Sequence, residues 1–598
     1  MEKESSLEEG TELTVFDYIT QEETAFKTAG VPIVDGWDFE MHNHIRRTVL
    51  YKYGQLETGK TDDKPVENII LPILNVAYRS EDIDVKDIIP YVDDKNNTHK
   101  SLLVKKFHDR WARREELDTF IDAVNASRID FGLGLVKFVG GKPELVPLQR
   151  LAFCDQTDIL SGPICEKHMY SPDQLMEMAG RWDKDKIEEV ITMSRSEKAN
   201  TQVEGQKAKT PGRYIEVYEL HAMCPESWDP KVNDGDPNKW TRQFHVVCYY
   251  QGEQDERNGI ALFQGTEKES IYDAIKRDEI YGRACGYGGA EELFEPQVWN
   301  TYSRIQMKEM LDVASLMIVK TTDAGLAKRQ KITDLEKGEI LEVEDGKDAS
   351  QLVLQPINWG VFDKWQDDMK LNARTIGSAN DPQLGVQPPS GTAMGLQKVV
   401  LAQGQGIHEH RRGIFATFLA KLYKNWFLKN LVDEMNKGDE WIDELSLDEM
   451  QWVAEKATKN AGEKRKKKLF LEGKGVDQLQ IDEYKENFKE EWLGGGNEKF
   501  ITIIKDEFKD IPIDVKVNIV GKQKDLANMT EKIVSFMRAI VSTPQMLTIP
   551  GMADLLNQVV EYSGLDPVDF SGLKPEQLVP AQPEQAPAQA QAPAPIAQ

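Results

Sequence analysis

The sequence predicts an α+β chain, mainly helical, and three observations carry that prediction. Long segments repeat apolar residues at helical spacing, and short alternating segments bounded by glycine interrupt them. Two helix-compatible stretches, 296–316 and 359–375, bracket about forty residues that read as short strands. The 598 residues supply enough material for roughly four domains. No run approaches the about eighteen apolar residues of a membrane span, so no membrane partner is expected.

The elements follow in order. Residues 1–35 are polar and read as a loosely ordered N-terminus. From 37 to 78 the pattern is helical, with Met41, Ile45, Val49 and Tyr53 on one face and Ile69, Leu71, Ile73, Leu74 and Ala77 forming a second run after Pro65. Residues 107–126 read as a further helix, stopped by Gly132 and Gly134. Strands at 135–139 and 144–148 flank a Gly140–Gly141 hairpin turn. Alternating segments at 214–221 and 243–250 predict a second antiparallel sheet, and 194–212 reads as an exposed loop.

Four glycines between 282 and 289 break the preceding structure, and Pro296 suits the first turn of the helix that follows. Glu291, Glu292 and Glu295 favour the positive end of its dipole. That helix would be about 30 Å long. Its stripe of Trp299, Tyr302, Ile305 and Met310 is too narrow to bury it on all sides, so it wants helical neighbours. Strand-like pieces at 317–320, 339–343 and 351–354 form a unit too small to stand alone and are expected to pair with adjacent copies. After the returning helix 359–375, a loop at 377–391 opens a helical segment reaching about Asn436, with Gly404, Gly406 and Gly413 inviting a kink. Toward the C-terminus, 511–520 reads as a strand and 529–542 as a helix. The stretch from about 571, rich in Pro, Ala and Gln, reads as a disordered tail.

Charge and motifs narrow the function. With 101 acidic against 74 basic residues the net charge is −27, which repels a duplex and disfavours tight phosphate neutralisation, while remaining compatible with DNA sliding past. Five cysteines without a CxxC pair fit a reducing compartment, and the acidic start MEKESSLEEGTEL lacks the features of a signal peptide, so the protein is expected to stay where it is made. Gly54–Thr61 matches the phosphate-loop pattern GxxxxGK[ST], but Asp62, Asp63 and Pro65 follow it and a helical pattern precedes it, so a polar turn is the preferred reading. An ATP-binding enzyme using that loop is the alternative. His408 and His410, like His42 and His44, stand at i, i+2, which on a helix does not place two metal ligands together; a solvated charged turn is expected at 408–412. The basic run 464–468 reads as a solvated face or helix cap. No catalytic residue, cofactor or metal site is assigned.

The run GYGGAEELFEPQVWNTYSRIQMKEMLDVAS, the β insert and second helix after it, the junction PPSGTAMGLQKVV, and the upstream segments YKYGQLE and ENIILPILNVAYRS resemble the portal, or head-to-tail connector, proteins of tailed double-stranded DNA bacteriophages. The resemblance covers roughly 37–435 and lies in the order of elements more than in invariant residues. It implies a flexible N-terminus at 1–35, a wing at 36–290 and 392–437, stem helices at 291–316 and 359–376, a clip at 317–358, a tunnel loop at 377–391 and a crown at 438–570. Tunnel-loop residues Ser378, Asn380, Gln383, Gln387, Ser390 and Thr392 would brush the DNA, and Lys328, Arg329, Lys331 and Lys337 would serve clip docking. The implied assembly is a homo-oligomeric, dodecameric ring at a capsid vertex of the virion. Its partners would be double-stranded DNA, the terminase large subunit, a head-tail adaptor, and the major capsid and scaffolding proteins; a non-portal structural or scaffold protein is the further alternative.

Overall fold

The computed structural model describes residues 14–55, 66–92, 98–199, 214–232, 236, 238–251, 257–315, 318–322, 345, 349–352, 359–379, 384, 406–431, 447–472, 477–494 and 513–517. The elements run α1 (Val15–Thr28), β1 (Val31–Val34), β2 (Trp37–Phe39), α2 (Met41–Lys52), α3 (Ile70–Ser80), β3 (Ile88–Val92), α4 (Thr98–Arg114), α5 (Leu117–Phe131), β4 (Leu133–Val139), β5 (Lys142–Leu145), β6 (Leu151–Cys154) and β7 (Ile164–Tyr170). They continue through α6 (Pro172–Glu177), α7 (Lys184–Ala199), β8 (Ile215–Pro225), β9 (Trp240–Gln251), β10 (Arg257–Thr266), β11 (Tyr272–Lys276), α8 (Gly289–Glu292), α9 (Phe294–Ser315), β12 (Ile318–Thr321), β13 (Ala349–Leu352), α10 (Trp359–Ile376) and α11 (Gly406–Leu422). Last come α12 (Leu447–Leu471), α13 (Gln478–Gly494) and β14 (Ile513–Val517). The chain divides into two compact units, Met1–Ile83 with Glu115–Leu422, and Asp84–Arg114 with Tyr423–Gln598.

In the first unit, β10-β9-β8-β7-β6 form a five-stranded antiparallel sheet and β11-β4-β5 a three-stranded one. Alternation along β8 assigns its two faces. Ile215 and Val217 join Leu175 and Ile187 beneath α6 and α7, whereas Tyr218, Leu220, Ala222 and Cys224 join Leu133, Leu135 and Ile19 in the main core. Each such fully buried aliphatic or aromatic side chain contributes about 1.5–3 kcal/mol. Gly140 and Gly141 take φ of 60° and 89° in the β4–β5 turn, as the two-glycine reading requires.

Several expectations need correction. Residues 15–34 are ordered, because Thr14 caps α1 reciprocally with Asp17 and because Val15, Ile19 and Phe26 are buried; polar neighbours hid that sparse stripe. Trp37 begins a strand, not a helix, after the turn at Gly36 (φ 85°). The helix read at 107–126 is two helices, divided where Glu116 adopts φ 52° before α5. The loop read from 194 is helical to Ala199, since Ile187, Val190 and Ile191 anchor α7 on the sheet and the polar residues after them continue it. From Gly406 the described helix runs through Gly413 to Leu422 and is followed by a π-type turn at Tyr423–Phe427, while Gly404 lies outside the described residues.

The glycine cluster at 282–289 has a packing reason. A Cβ on Gly286 would lie 2.5 Å from the Asp278 carbonyl oxygen, and one on Gly288 would lie 2.5 Å from that of Asp130. The segment threads against the end of α5, where Gly132 (φ 76°) terminates the helix. Arg283 completes the turn, donating to the carbonyls of Cys285 and Gly286 and pairing with Glu291 at 2.6 Å.

A buried charge cluster fastens α11 to this core. The carboxylate of Glu81, at the end of α3 and fully buried, receives Arg128 at 2.7 Å, Arg277 at 3.2 Å and His408 Nδ1 at 3.0 Å. Arg411 pairs with Asp278 at 2.5 Å and Glu292 at 2.7 Å. Three guanidiniums thus face three carboxylates. Burial alone would raise the Glu81 pKa, but the His408 hydrogen bond and the Arg128 and Arg277 charges outweigh it and hold it down at about 2. The solvated turn expected at His408 is therefore wrong for that residue: only the helical face carrying Glu409 and His410 is exposed.

In the second unit, β14 pairs antiparallel with β3 from Ile513↔Val92 to Val517↔Ile88. Val104, Phe107 and Trp111 are buried on α4; the Trp111 ring meets Phe427 with centroids 5.6 Å apart, and His108 Nε2 lies 2.8 Å from the Tyr423 hydroxyl. Helices α12 and α13 pack on each other, linked by Lys489–Glu455 at 3.0 Å. Lys464, Arg465, Lys467 and Lys468 are exposed on α12, and Arg465 stacks over Tyr484.

Candidate functional site

The bracketed region found in the sequence folds as a helical hairpin tipped by strands. Helix α9 leaves the core, β12 pairs antiparallel with β13 from Ile318↔Leu352 to Thr321↔Ala349, and α10 returns against α9. Of the pieces expected to pair with adjacent copies, those read at 317–320 and 351–354 thus contribute strands that pair with each other, and 339–343 lies outside the described residues. Gln366 Nε2 lies 2.9 Å from Met307 Sδ between the helices.

The base of the hairpin is fixed by polar side chains. Gln297 accepts from the Ile69 N–H at 2.9 Å and donates to the Glu67 carbonyl at 2.8 Å. The Glu67 carboxylate pairs with Arg304 of α9 at 2.5 Å and Lys370 of α10 at 3.0 Å, tying both helices to one residue. Burial works against that carboxylate, but its hydrogen bonds to Lys370 and Arg304 win and lower its pKa.

Above this base the hairpin is short of apolar partners. Trp299 is 47% exposed, Tyr302 52% and Leu311 52% on α9, while Val361 is 59%, Trp365 45% and Leu371 62% on α10. Trp299 and Tyr302 meet edge to face at 6.3 Å, so their rings form one surface feature. Clusters of exposed large apolar residues mark surfaces that another molecule covers.

The loop after α10 starts from a firm anchor. Ala373 and Ala379 are buried beside Ile70, Ile73 and Leu74, and a Cβ on Gly377 would fall 2.2 Å from Ile73 Cγ2. Ser378 stops the helix with φ 51° and is half-buried, its N–H reaching the Thr375 carbonyl at 3.2 Å. Leu384 packs back on the same core. Asn380, Gln383, Gln387, Ser390 and Thr392 lie outside the described residues, as do Lys328, Arg329, Lys331 and Lys337.

The phosphate-loop pattern sits in the wrong frame. Helix α2 precedes Gly54, where a phosphate loop would follow a strand, and among the described residues the next helix begins at Ile70. Lys60 and Thr61 lie outside the described residues. His44 is buried with Nε2 3.1 Å from the Phe131 carbonyl, apart from His42. Among the described residues no helix is long and apolar enough to cross a membrane.

The chain matches no family model and no curated protein. The solved chains similar to it include two at 9% identity. One, from a structure described as "Virion of native gene transfer agent (GTA) particle", has a TM-score of 0.30 and covers 92% of this chain and 100% of its own. The other, from "Neck of empty GTA particle computed with C6 symmetry", has a TM-score of 0.27 with 63% and 78% covered.

Proposed function

We propose that this chain is the subunit of a phage portal: a non-enzymatic protein whose copies close into a ring, dodecameric in the family it resembles, around a channel for double-stranded DNA. One observation carries the reading. The α9–α10 hairpin is clamped at its base by Glu67 and Gln297, yet leaves Trp299, Tyr302, Val361, Trp365 and Leu371 without enough of its own chain to cover them. Copies standing side by side about an axis would cover those residues on both helices, and ring closure leaves none exposed.

In this reading α9 and α10 are the stem, β12–β13 the base of the clip, and 377–391 the tunnel loop, launched from a rigid anchor toward the channel. Ser378 sits at that launch point, while Asn380, Gln383, Gln387, Ser390 and Thr392 would meet the duplex with neutral polar groups that form few lasting ion pairs. The net charge of −27 favours passage over capture. Lys328, Arg329, Lys331 and Lys337 would lie on the clip facing the terminase large subunit and, later, a head-tail adaptor, with major capsid and scaffolding proteins around the ring at a virion vertex.

Electron microscopy of the purified full chain tests this. A closed ring with an axial hole as wide as a DNA duplex is expected. A stable monomer, or an open lattice of a scaffold type, overturns it.

A further inference from the structure

Glu166 and Glu219 stand directly opposite each other in the β7–β8 ladder, and His168, two residues along β7, shares their face of the sheet. Directly opposed like charges destabilise a sheet unless a cation lies between them. Both carboxylates are largely buried, Glu166 nearly completely. His168 Nε2 lies 3.5 Å from Glu166 Oε2 and 3.3 Å from Glu219 Oε2, so one ring nitrogen faces both carboxylates. One donor atom from each of the three residues lies within 4.8 Å of the others.

We propose that Glu166, His168 and Glu219 form a divalent-metal site, with zinc as the ion. Bonds of about 2.1 Å in tetrahedral geometry place neighbouring donors about 3.4 Å apart, which the two nitrogen–oxygen separations match. The imidazole nitrogen selects zinc over calcium or magnesium, which take oxygen donors. Outer contacts are in place as well: the Tyr272 hydroxyl donates to Glu166 Oε1 at 2.6 Å, and Tyr170 stacks on His168 with centroids 5.6 Å apart. His168 and Glu219 line a cavity of about 990 Å³, which gives the ion an entry path and leaves the fourth coordination position open.

The rival for the site is part of the chain. Lys137 reaches in from β4, with Nζ 3.0 and 3.1 Å from the Glu166 oxygens and 3.5 Å from Glu219 Oε2. Its ammonium balances the carboxylates when zinc is absent and must swing into the cavity when zinc binds. The site is thus a lysine–zinc exchange, independent of any ring the chain forms.

Full-length protein stripped with chelator and titrated with Zn²⁺, followed by calorimetry and by metal analysis after desalting, tests this. One zinc per chain is expected. H168A and E219Q should weaken binding by more than the roughly 10–100-fold that loss of an outer-shell contact causes. K137M, which removes the competitor, should tighten it and gain thermal stability from added Zn²⁺. Co²⁺ in the wild type should give the intense visible bands of a tetrahedral ion, a readout that stands even if a variant fails to fold. No zinc retained by the wild type, equal retention by H168A, or weaker binding by K137M overturns the assignment and leaves a charge-balanced ion cluster only.

Discussion

Trp299→Ala offers the sharpest probe of the assembly surface. The indole is 47% exposed, and a tryptophan side chain presents about 250 Å², so about 120 Å² is open for a neighbour to cover. At about 25 cal/mol per Å² that is about 3 kcal/mol for each interface, or roughly a hundredfold in the association constant. Trp365, 45% exposed on the facing helix, gives nearly the same figure. Neither ring is part of the buried core, so the variant should keep the parent's circular dichroism and resist unfolding almost as well as a dissociated parent subunit. Sedimentation velocity across a concentration series reads the effect: rings should persist in the parent at concentrations where Trp299→Ala and Trp365→Ala fall to subunits. Rings of unchanged stability in both variants would refute the argument that these two helices form the lateral contact.

The remaining predictions concern the scaffold. Glu81→Gln leaves Arg128 and Arg277 buried beside a neutral amide, and denaturant unfolding should show a loss of about 3–5 kcal/mol. In the parent, the Glu81 pKa is depressed from 4.5 to about 2, so its contribution is complete above the unfolded value and disappears as pH falls from about 4.5 toward 2. That contribution is on the order of 3 kcal/mol, and Glu81→Gln should flatten the acid limb of the stability curve. Gly132→Ala combines φ of 76° with a Cβ 2.2 Å from the Gly286 carbonyl oxygen; thermal unfolding should report a loss of at least about 2 kcal/mol, and no change would mean the α5 terminus is free to relax.

What the sequence shows and what it hides divide along range. The hairpin at 294–376 is legible because its helices repeat apolar residues over several turns and because proline and glycine mark their ends. The β4–β5 turn is legible because two adjacent glycines permit positive φ. Helix α1 is not, since its three buried apolar residues gain meaning only from a sheet more than a hundred positions away. Nor does local pattern place His408 beside Glu81, a pairing across 327 positions. Glu166-x-His168 carries one usable signal, two donors at strand spacing on a common face. Its third member, Glu219, and its competitor, Lys137, lie on other strands, so only the register of β7 against β8 and the approach of β4 assemble the cluster. By itself the sequence determined which segments are helix or strand wherever backbone preference and periodic burial act over neighbouring residues. The tertiary structure alone decided which charges meet in the interior and which apolar faces stay open, because desolvation and charge pairing depend on distance in space.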